Sequence, residues 1–176
     1  VGEVMIIGKT YKEAFQKAIR SLENGRYGLG GAKDFASKSK EELLNLLATP
    51  SSERHFIMYE ALRKGATVEE IFNLTKVKHY FIQQMKELVE EEEALKANAG
   101  HLPAPEALRQ AKLDGFSDKH LSQILSVPEE DIRNERKENH IVEAWEGVHV
   151  SGTQDSAYYF SSYHLPEDKS PVNYDR

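Results

Sequence analysis

The sequence contains no cysteine, which excludes disulfide bonds, zinc sites built on thiolates and catalysis by a cysteine nucleophile. Positive charge is also scarce, because 23 Lys and Arg stand against 29 Asp and Glu, and the formal net charge is −6. A negative chain is poorly suited to coating nucleic acid, which requires a positive surface that displaces counterions. No run of about 18 apolar residues is present, so no membrane-spanning helix is predicted. We expect a cytoplasmic protein.

The two ends of the sequence have a different character from its middle. Residues 1–8 lack the basic-then-apolar order of a signal peptide. The first residue is Val1, and residues 167–176 are polar and contain a proline, as a tail or interdomain connector would. At 176 residues, one domain with attached edges is the natural size, and we expect the chain to be a piece of a longer protein.

The N-terminal segment predicts a strand followed by a helix. Residues 4–7 are a short apolar run between two glycines, which favours a buried strand. Thr10 and Glu13 have capping-box spacing, and apolar residues then recur on one helix face until Asn24 and Gly25 end the helix. One strand cannot form a sheet by itself, so its partner is expected outside this chain.

Helical patterns dominate the sequence from residue 39 to residue 139. Ser39 and Glu42 form a second capping box, Ser117 can cap a later helix, and Pro128 suits a first helical turn. The predicted helices cover residues 39–48, 52–64, 67–74, 77–96, 105–113, 118–125 and 128–139. Aromatic residues among small polar residues follow residue 140 and predict extended chain. The predicted fold class is therefore mainly α, with a strand-helix edge before it and an extended segment after it.

The helical region contains an internal duplication with an offset of 50 residues. Gly65, Ala66 and Thr67 align with Gly115, Phe116 and Ser117, and six further matches fall on apolar positions: Met58 with Leu108, Ala61 with Ala111, Ile71 with Leu121, Leu74 with Ile124, Val77 with Val127, and Ile82 with Ile132. Each unit predicts a helix, a glycine stop, a capped short helix, a tight turn and a helix. Two such units packed together would bury both apolar faces in one helical domain.

Two segments of biased composition are candidate binding sites. Residues 24–33 are rich in glycine, but they follow a helix and do not match a phosphate-binding glycine spacing, so a flexible connector is favoured over a phosphate site. Residues 90–93 are all glutamate. A solvated helix face is favoured there over a metal site, because metal ligands usually converge from different segments.

The second unit has the spacing of a helix-turn-helix, which raises the alternative of a nucleic-acid or protein binding module. Its last helix begins with carboxylates, which would repel phosphates, so packing geometry is the favoured explanation. The basic residues that could contact a nucleic-acid backbone are Arg133, Arg136 and Lys137 in the second unit and Lys76, Lys78 and His79 in the first.

No constellation of catalytic residues is visible. The histidines are His55, His79, His101, His120, His140, His149 and His164, and they form no HExxH or similar cluster. A Gly-x-Ser-x-Gly elbow, a P-loop and a paired-carboxylate context are also absent from the sequence. Trp145, Tyr158, Tyr159 and Tyr163 suit either an interface or core packing. We predict no catalytic, cofactor-binding or metal-binding residue.

Four segments in the same order resemble the large subunit of carbamoyl phosphate synthetase. They are GEVMIIGKTY at residues 2–11 with its continuation to residue 23, FNLT and YFI between residues 72 and 82, GFSD at 115–118 with Ile132, Arg133 and Arg136, and Tyr158 with SSY at 161–163. The family has Ile-Asp where Val77 and Lys78 stand, and the segment from about residue 143 to residue 156 also departs from its pattern.

The resemblance implies the oligomerization domain that lies between the two ATP-grasp halves of that family. Residues 1–25 would then end the first ATP-grasp unit, 26–148 would form the oligomerization domain, and 149–176 would lead toward the second unit. The family's enzyme is a ligase that makes carbamoyl phosphate from bicarbonate, ATP and glutamine-derived ammonia, for pyrimidine and arginine biosynthesis.

The same resemblance implies which partners and cofactors belong to the parent enzyme. The parent uses ATP, magnesium or manganese, and potassium, and none of its nucleotide or metal ligands maps onto this chain. The expected partners are the two synthetase halves, other large subunits and the glutaminase small subunit, with neither nucleic acid nor membrane. The fragment alone is expected to be non-catalytic.

Overall fold

The computed structural model describes residues 3–22, 24–31, 33–148 and 158–165. The chain is mainly α-helical, which confirms the predicted fold class. The helices are α1 (Tyr11–Ser21), α2 (Lys40–Leu47), α3 (Arg54–Arg63), α4 (Val68–Thr75), α5 (His79–Lys96), α6 (Pro105–Leu113), α7 (Asp118–Leu125) and α8 (Glu129–Glu138). Two 3₁₀ turns, at Leu29–Gly31 and Lys33–Phe35, join α1 to α2. The strands are β1 (Ala144–Gly147) and β2 (Tyr159–Ser162).

Local capping chemistry sets the helix boundaries close to their predicted positions. The Ser39 side chain accepts from the amide of Glu42, whose carboxylate reaches back to the amide of Ser39. The box predicted at α1 forms only in part, because the carboxylate of Glu13 accepts from the amide of Lys9 instead of that of Thr10. In both helices a hydroxyl still accepts from a backbone amide of the first turn that has no partner within the helix. Both helices therefore begin where the sequence indicates.

The strand predicted at residues 4–7 is not formed in the described chain, so it stays a prediction for a longer protein that supplies its partner. No strand is assigned to residues 3–8, and the side chain of Met5 is 89 % exposed. A strand requires a neighbour to take up its backbone hydrogen bonds, and the described residues provide none for this segment.

The duplication is confirmed in three dimensions. The second unit repeats α3, α4 and α5 as α6, α7 and α8, and matching turns have matching backbones. Gly65 and Gly115 have φ of 87° and 93°, while Lys76 and Ser126 have φ of 57° and 55°. Such left-handed residues end helices, and glycine adopts them without a Cβ penalty.

The two units share one core of buried side chains. Four of the aligned apolar pairs are at most 1 % exposed: Met58 with Leu108, Ala61 with Ala111, Ile71 with Leu121, and Ile82 with Ile132. Leu74 departs from the pattern, because it is 40 % exposed whereas Ile124 is 7 % exposed. Helix α5 contacts α3 and α4 of its own unit, α7 of the other unit, and α1.

The extended chain predicted after residue 140 forms a small antiparallel sheet in its described part. Strands β1 and β2 pair with Ala144 opposite Ser162 and Gly147 opposite Tyr159. Successive side chains along a strand point to opposite faces of the sheet. Ser162 therefore faces the protein and is buried, whereas Trp145 and Tyr159 face outward and are exposed. Residues 149–157 and 166–176, which contain most of the predicted connector, lie outside the described residues.

Candidate functional site

Two clusters of polar groups are the main candidate sites of the domain, and the first surrounds Glu92. Its carboxylate accepts from the hydroxyl of Tyr59 at 2.6 Å and lies 2.8 Å from both Arg63 and Lys96. Glu92 is 1 % exposed, so the prediction that residues 90–93 form a solvated face is wrong at this position. Burial alone raises the pKa of Glu92, but His120, Lys96, Tyr59 and Arg63 together lower it below its ordinary value. The carboxylate is therefore a charged structural centre of the fold.

The glycine-rich loop closes over this cluster. A Cβ on Gly28 would overlap the imidazole ring of His120, and one on Gly30 would overlap the carboxylate of Glu92. These glycines are needed for close packing, and Leu29 between them is 2 % exposed. The prediction of a merely flexible connector is therefore wrong for this stretch, because the loop is fastened by its contacts with α5 and α7.

A cavity of about 700 Å³ lies beside the loop, but its cations are already neutralised. Arg26 bonds to Glu53 and Asp34 and lies 4.0 Å from the ring centroid of Phe56. Lys96 is paired with Glu92. A phosphate entering this cavity would have to displace carboxylates, so the arrangement does not favour an anion site.

The second cluster joins the three helices of the second unit to Tyr163, the residue that follows β2. Asp118 lies 2.8 Å from Lys112 and 2.8 Å from Arg136, whose guanidinium also donates to the carbonyl of Ile141. The ring of Tyr163 covers both cations, with its centroid 4.9 Å from Lys112 Nζ. Burial lowers the pKa of Lys112 to about 8, although Asp118 opposes this shift. The cluster ties the sheet to the helices.

These contacts decide the helix-turn-helix alternative. Arg136 is occupied by Asp118, and the exposed Arg133 pairs with Glu129. In the first unit His79 bonds to Glu69, and Lys76 lies over the ring of Phe72. Helix α8 begins with acidic residues. Four of the six candidate basic residues are therefore engaged by acidic or aromatic side chains, which disfavours a basic recognition surface.

The histidines remain dispersed, and no group of three or more His, Asp or Glu side chains in the described ranges could hold a metal ion. His120 is 3 % exposed and its Nδ1 has no hydrogen-bond partner. His164 bonds to the carbonyl of Leu113, and His149 lies outside the described residues. The absence of catalytic and cofactor residues stays a prediction.

Two exposed features distinguish the surface. The first, here called the aromatic patch, consists of Tyr11, Tyr80 and Phe81. The ring centroids of Tyr11 and Phe81 are 5.0 Å apart, and Tyr80 is 58 % exposed. The second is an apolar groove of about 460 Å³ between α5 and α6, whose wall includes Leu95 and Leu102.

The aromatic residues near the sheet divide between the two predicted roles, an interface and core packing. Tyr163 packs against the core, whereas Tyr159 is exposed.

The two ends of the described chain lie side by side. The Nζ of Lys9 donates to the carbonyl of Leu165 at 3.3 Å and pairs with Glu146 of β1. The Nζ of Lys17 donates to the carbonyls of Ile7 and Ser161. The chain therefore enters and leaves the helical body at one end.

No helix among the described residues is both long and apolar enough to cross a membrane.

Comparison with known proteins gives a consistent family. The model of the oligomerisation domain of the carbamoyl-phosphate synthetase large chain matches residues 3–140. The N-terminal section of the carbamoyl phosphate synthase large chain of Aquifex aeolicus is 42 % identical over 169 residues, which are 94 % of this chain and 30 % of that protein. The large chains of Archaeoglobus fulgidus and Pseudomonas putida are 41 % and 35 % identical, over 93 % and 100 % of this chain but only 16 % and 17 % of their own lengths.

Proposed function

The chain belongs to the family of carbamoyl-phosphate synthetase large-chain oligomerisation domains, and we propose that it spaces and assembles the catalytic parts of such a large chain. The family match over residues 3–140 carries this proposal. The parent would make carbamoyl phosphate from bicarbonate, ATP and glutamine-derived ammonia, for pyrimidine and arginine biosynthesis. The helical domain would take no part in the chemistry.

We propose that residues 1–25 end a preceding ATP-grasp unit, 26–148 form the oligomerisation domain, and 149–176 lead to a following unit. The adjacent ends of the described chain support flanking units on one side of the helical body. Because Lys9 and Leu165 are in contact, flanking units would attach at one end of the helical body. The rest of the body would then project away from them and remain available to other large chains.

The aromatic patch is the surface that we assign to contact with the preceding unit. The internal repeat provides the argument, because Tyr80 and Phe81 correspond to Glu130 and Asp131 in α8. All four side chains are exposed, so the helical unit tolerates charge at these positions and does not require aromatic rings. The patch begins at Tyr11, just after the unpaired segment at residues 4–7, where the proposed preceding unit would lie.

The parent's cofactors and other partners follow from the same proposal. ATP, magnesium or manganese, and potassium would bind in the flanking synthetase units. Other large chains would contact the helical domain, and a glutaminase subunit would supply ammonia to the parent. The carboxylates Glu92 and Asp118 are paired with Arg63 and Arg136 here, so they are assigned structural roles.

Two measurements test the proposed function. The purified 176-residue chain is expected to turn over no ATP, whereas the longer parent protein is expected to form carbamoyl phosphate and to self-associate in sedimentation velocity. ATP-dependent carbamoyl phosphate formation by the chain alone would contradict the structural role. A parent gene product without nucleotide-binding units on both sides would contradict the spacer assignment.

Hydrogen exchange tests the contact at the aromatic patch. The amides of residues 4–7 are expected to exchange more slowly in the parent than in the isolated chain, because a sheet partner would take up their hydrogen bonds. Replacing Tyr80→Glu and Phe81→Asp together in the parent should speed this exchange. Equal exchange in the parent and the isolated chain would argue against the contact.

A further inference from the structure

Helix α1 connects the helical body with both ends of the described chain. Gln16 and Arg20 donate to the carbonyls of Asp114 and Gly115 at 3.0 Å and 2.8 Å. These carbonyls belong to the turn between α6 and α7, so α1 is fastened to the second unit. Two further residues of the same helix face bond to the entering segment, residues 3–9, and to β2, by which the chain leaves the body.

Lys17 of α1 is in contact with both ends at once. Its Nζ donates to the carbonyl of Ile7 in the entering segment at 3.3 Å and to the carbonyl of Ser161 in β2 at 2.5 Å. The same atom lies 3.0 Å from the carboxylate of Glu13. A lysine ammonium has three N–H donors and no acceptor, so these three partners use its full hydrogen-bonding capacity. One nitrogen atom thus joins the entering segment, the leaving strand and α1.

Glu13 holds this ammonium in place and also binds the entering segment. Its carboxylate is 2 % exposed and accepts from the backbone amide of Lys9 at 2.8 Å. Glutamate four residues before lysine is the favourable order for a pair on one helix face. Burial alone raises the pKa of Glu13, but the hydrogen bonds from Lys9, Lys17 and Ser162 outweigh it and lower the pKa below its ordinary value. Glu13 and Lys17 therefore form a charged pair at the junction of the two ends.

We propose that Glu13 and Lys17 are positioning residues, because one ammonium bound to both ends fixes the direction in which the chain enters the helical body relative to that in which it leaves. If one flanking unit turned relative to the other, either a bond of this ammonium or the attachment of α1 to the second unit would have to break. The relative orientation of the flanking units is therefore set through α1. The identity of those units rests on the proposed function.

The consequence for the parent reaction follows from geometry. Two ATP-grasp units would contribute to one product, so their mutual orientation affects how efficiently they work together. A misplacement of about 1 Å far from the chemistry can lower a rate by about 100-fold. Neither Glu13 nor Lys17 would touch substrate. Their loss is therefore expected to lower product formation while each unit retains its own ATP turnover.

The first test measures the distance between the two ends in the 176-residue chain. The sequence has no cysteine, so cysteines introduced at Met5 and Leu165, which are 89 % and 71 % exposed, are the only sites for spin labels. Double electron–electron resonance should give one narrow distance distribution for the otherwise unmodified chain. Lys17→Met keeps a long side chain but removes all three donors, and it should broaden the distribution and shift it to longer distances.

Two further variants control for general effects on the fold. Lys86→Met is the matched control, because Lys86 pairs with Glu90 at the same four-residue spacing on α5, and it should leave the distribution unchanged. Lys17→Met leaves Glu13 buried without its cation, which destabilises the fold. The double variant Glu13→Gln, Lys17→Met removes both charges, and circular dichroism identifies the folded forms. A broad distribution in the chain with native Glu13 and Lys17, or an unchanged one in the folded double variant, would overturn the inference.

The second test uses the parent protein and the ratio of carbamoyl phosphate formed to ATP consumed. Lys17→Met should lower this ratio by about tenfold or more, whereas Lys86→Met should leave it unchanged. An unchanged ratio in a Lys17→Met parent, although the label distances have shifted, would refute the positioning role. A parent that forms no carbamoyl phosphate with its native sequence would contradict the proposed function instead, and the label distances would still decide whether Lys17 holds the two ends together.

Discussion

Replacing Gly115 by alanine tests whether α1 is clamped onto the second unit. Gly115 has φ of 93°, and a Cβ there would lie 3.0 Å from Cα of Glu13 and 3.1 Å from Cβ of Gln16. The repeat provides a matched control in Gly65, which has φ of 87° and no atom within 4 Å of the place that a Cβ would take. Both replacements therefore introduce the same backbone strain, and only one of them collides with α1.

The magnitudes follow from these two terms. An alanine in the left-handed region lowers the free energy of unfolding by about 1–2 kcal/mol. The reduced conformational freedom of the unfolded chain offsets about 0.4–1 kcal/mol of this loss. Gly65→Ala should therefore cost roughly 1 kcal/mol. In Gly115→Ala, carbon atoms that prefer separations of about 3.5–4.0 Å are forced closer, and such overpacking adds about 1–3 kcal/mol. The shift of α1 would also strain the hydrogen bonds that Gln16 and Arg20 donate to the carbonyls of Asp114 and Gly115, at 3.0 Å and 2.8 Å.

Urea unfolding of both variants, followed by circular dichroism, measures the difference between them. We expect Gly115→Ala to be less stable than Gly65→Ala by about 1–3 kcal/mol, with faster hydrogen exchange along α1. Equal losses of stability in the two variants would refute the clamp, because they would show that α1 moves aside without cost.

Two further predictions concern the core and its buried histidine. Ile132→Ala shortens a side chain that is 0 % exposed. Urea unfolding should show the free energy of unfolding lowered by about 2–5 kcal/mol, and a loss well below this range would contradict the core assignment. Burial lowers the pKa of His120 below its ordinary value of 6.5, so the unfolded chain binds a proton more readily than the native chain does. Stability should therefore fall as pH drops below 6.5. His120→Gln should show a smaller loss between pH about 7 and about 5.5, and an unchanged pH dependence would contradict the buried neutral ring.

Helix positions could be predicted from the sequence because their determinants are local. The hydroxyl of Ser117 accepts from the amide of His120 and starts α7 at the predicted residue. Gly65 and Gly115 end α3 and α6 through left-handed backbone that few other residues adopt. The matching of the two units could also be predicted, since it depends on apolar and turn-forming residues at one fixed offset.

The buried polar clusters could not be predicted, because residue type alone does not determine burial. Glu90 and Glu92 are close neighbours in a run of glutamates, yet Glu90 is exposed whereas Glu92 is 1 % exposed. The difference arises from Tyr59 and Arg63, which come from another helix, and from the contact with Gly30. The local composition of residues 90–93 carries no signal of these partners. The strand at residues 4–7 stays a prediction, since its partner would have to come from elsewhere.

Divergence after duplication accounts for where the first cluster lies. Helix α5 continues to Lys96, whereas its counterpart α8 stops at Glu138 and a left-handed His140 follows. At the offset of 50 residues, the last turns of α5 correspond to the residues between the end of α8 and the start of β1. The added length of α5 carries Glu92, so the first polar cluster has no equivalent in the second unit. The shared apolar positions of the repeat form the helical core, whereas this cluster depends on the turns of α5 that α8 lacks.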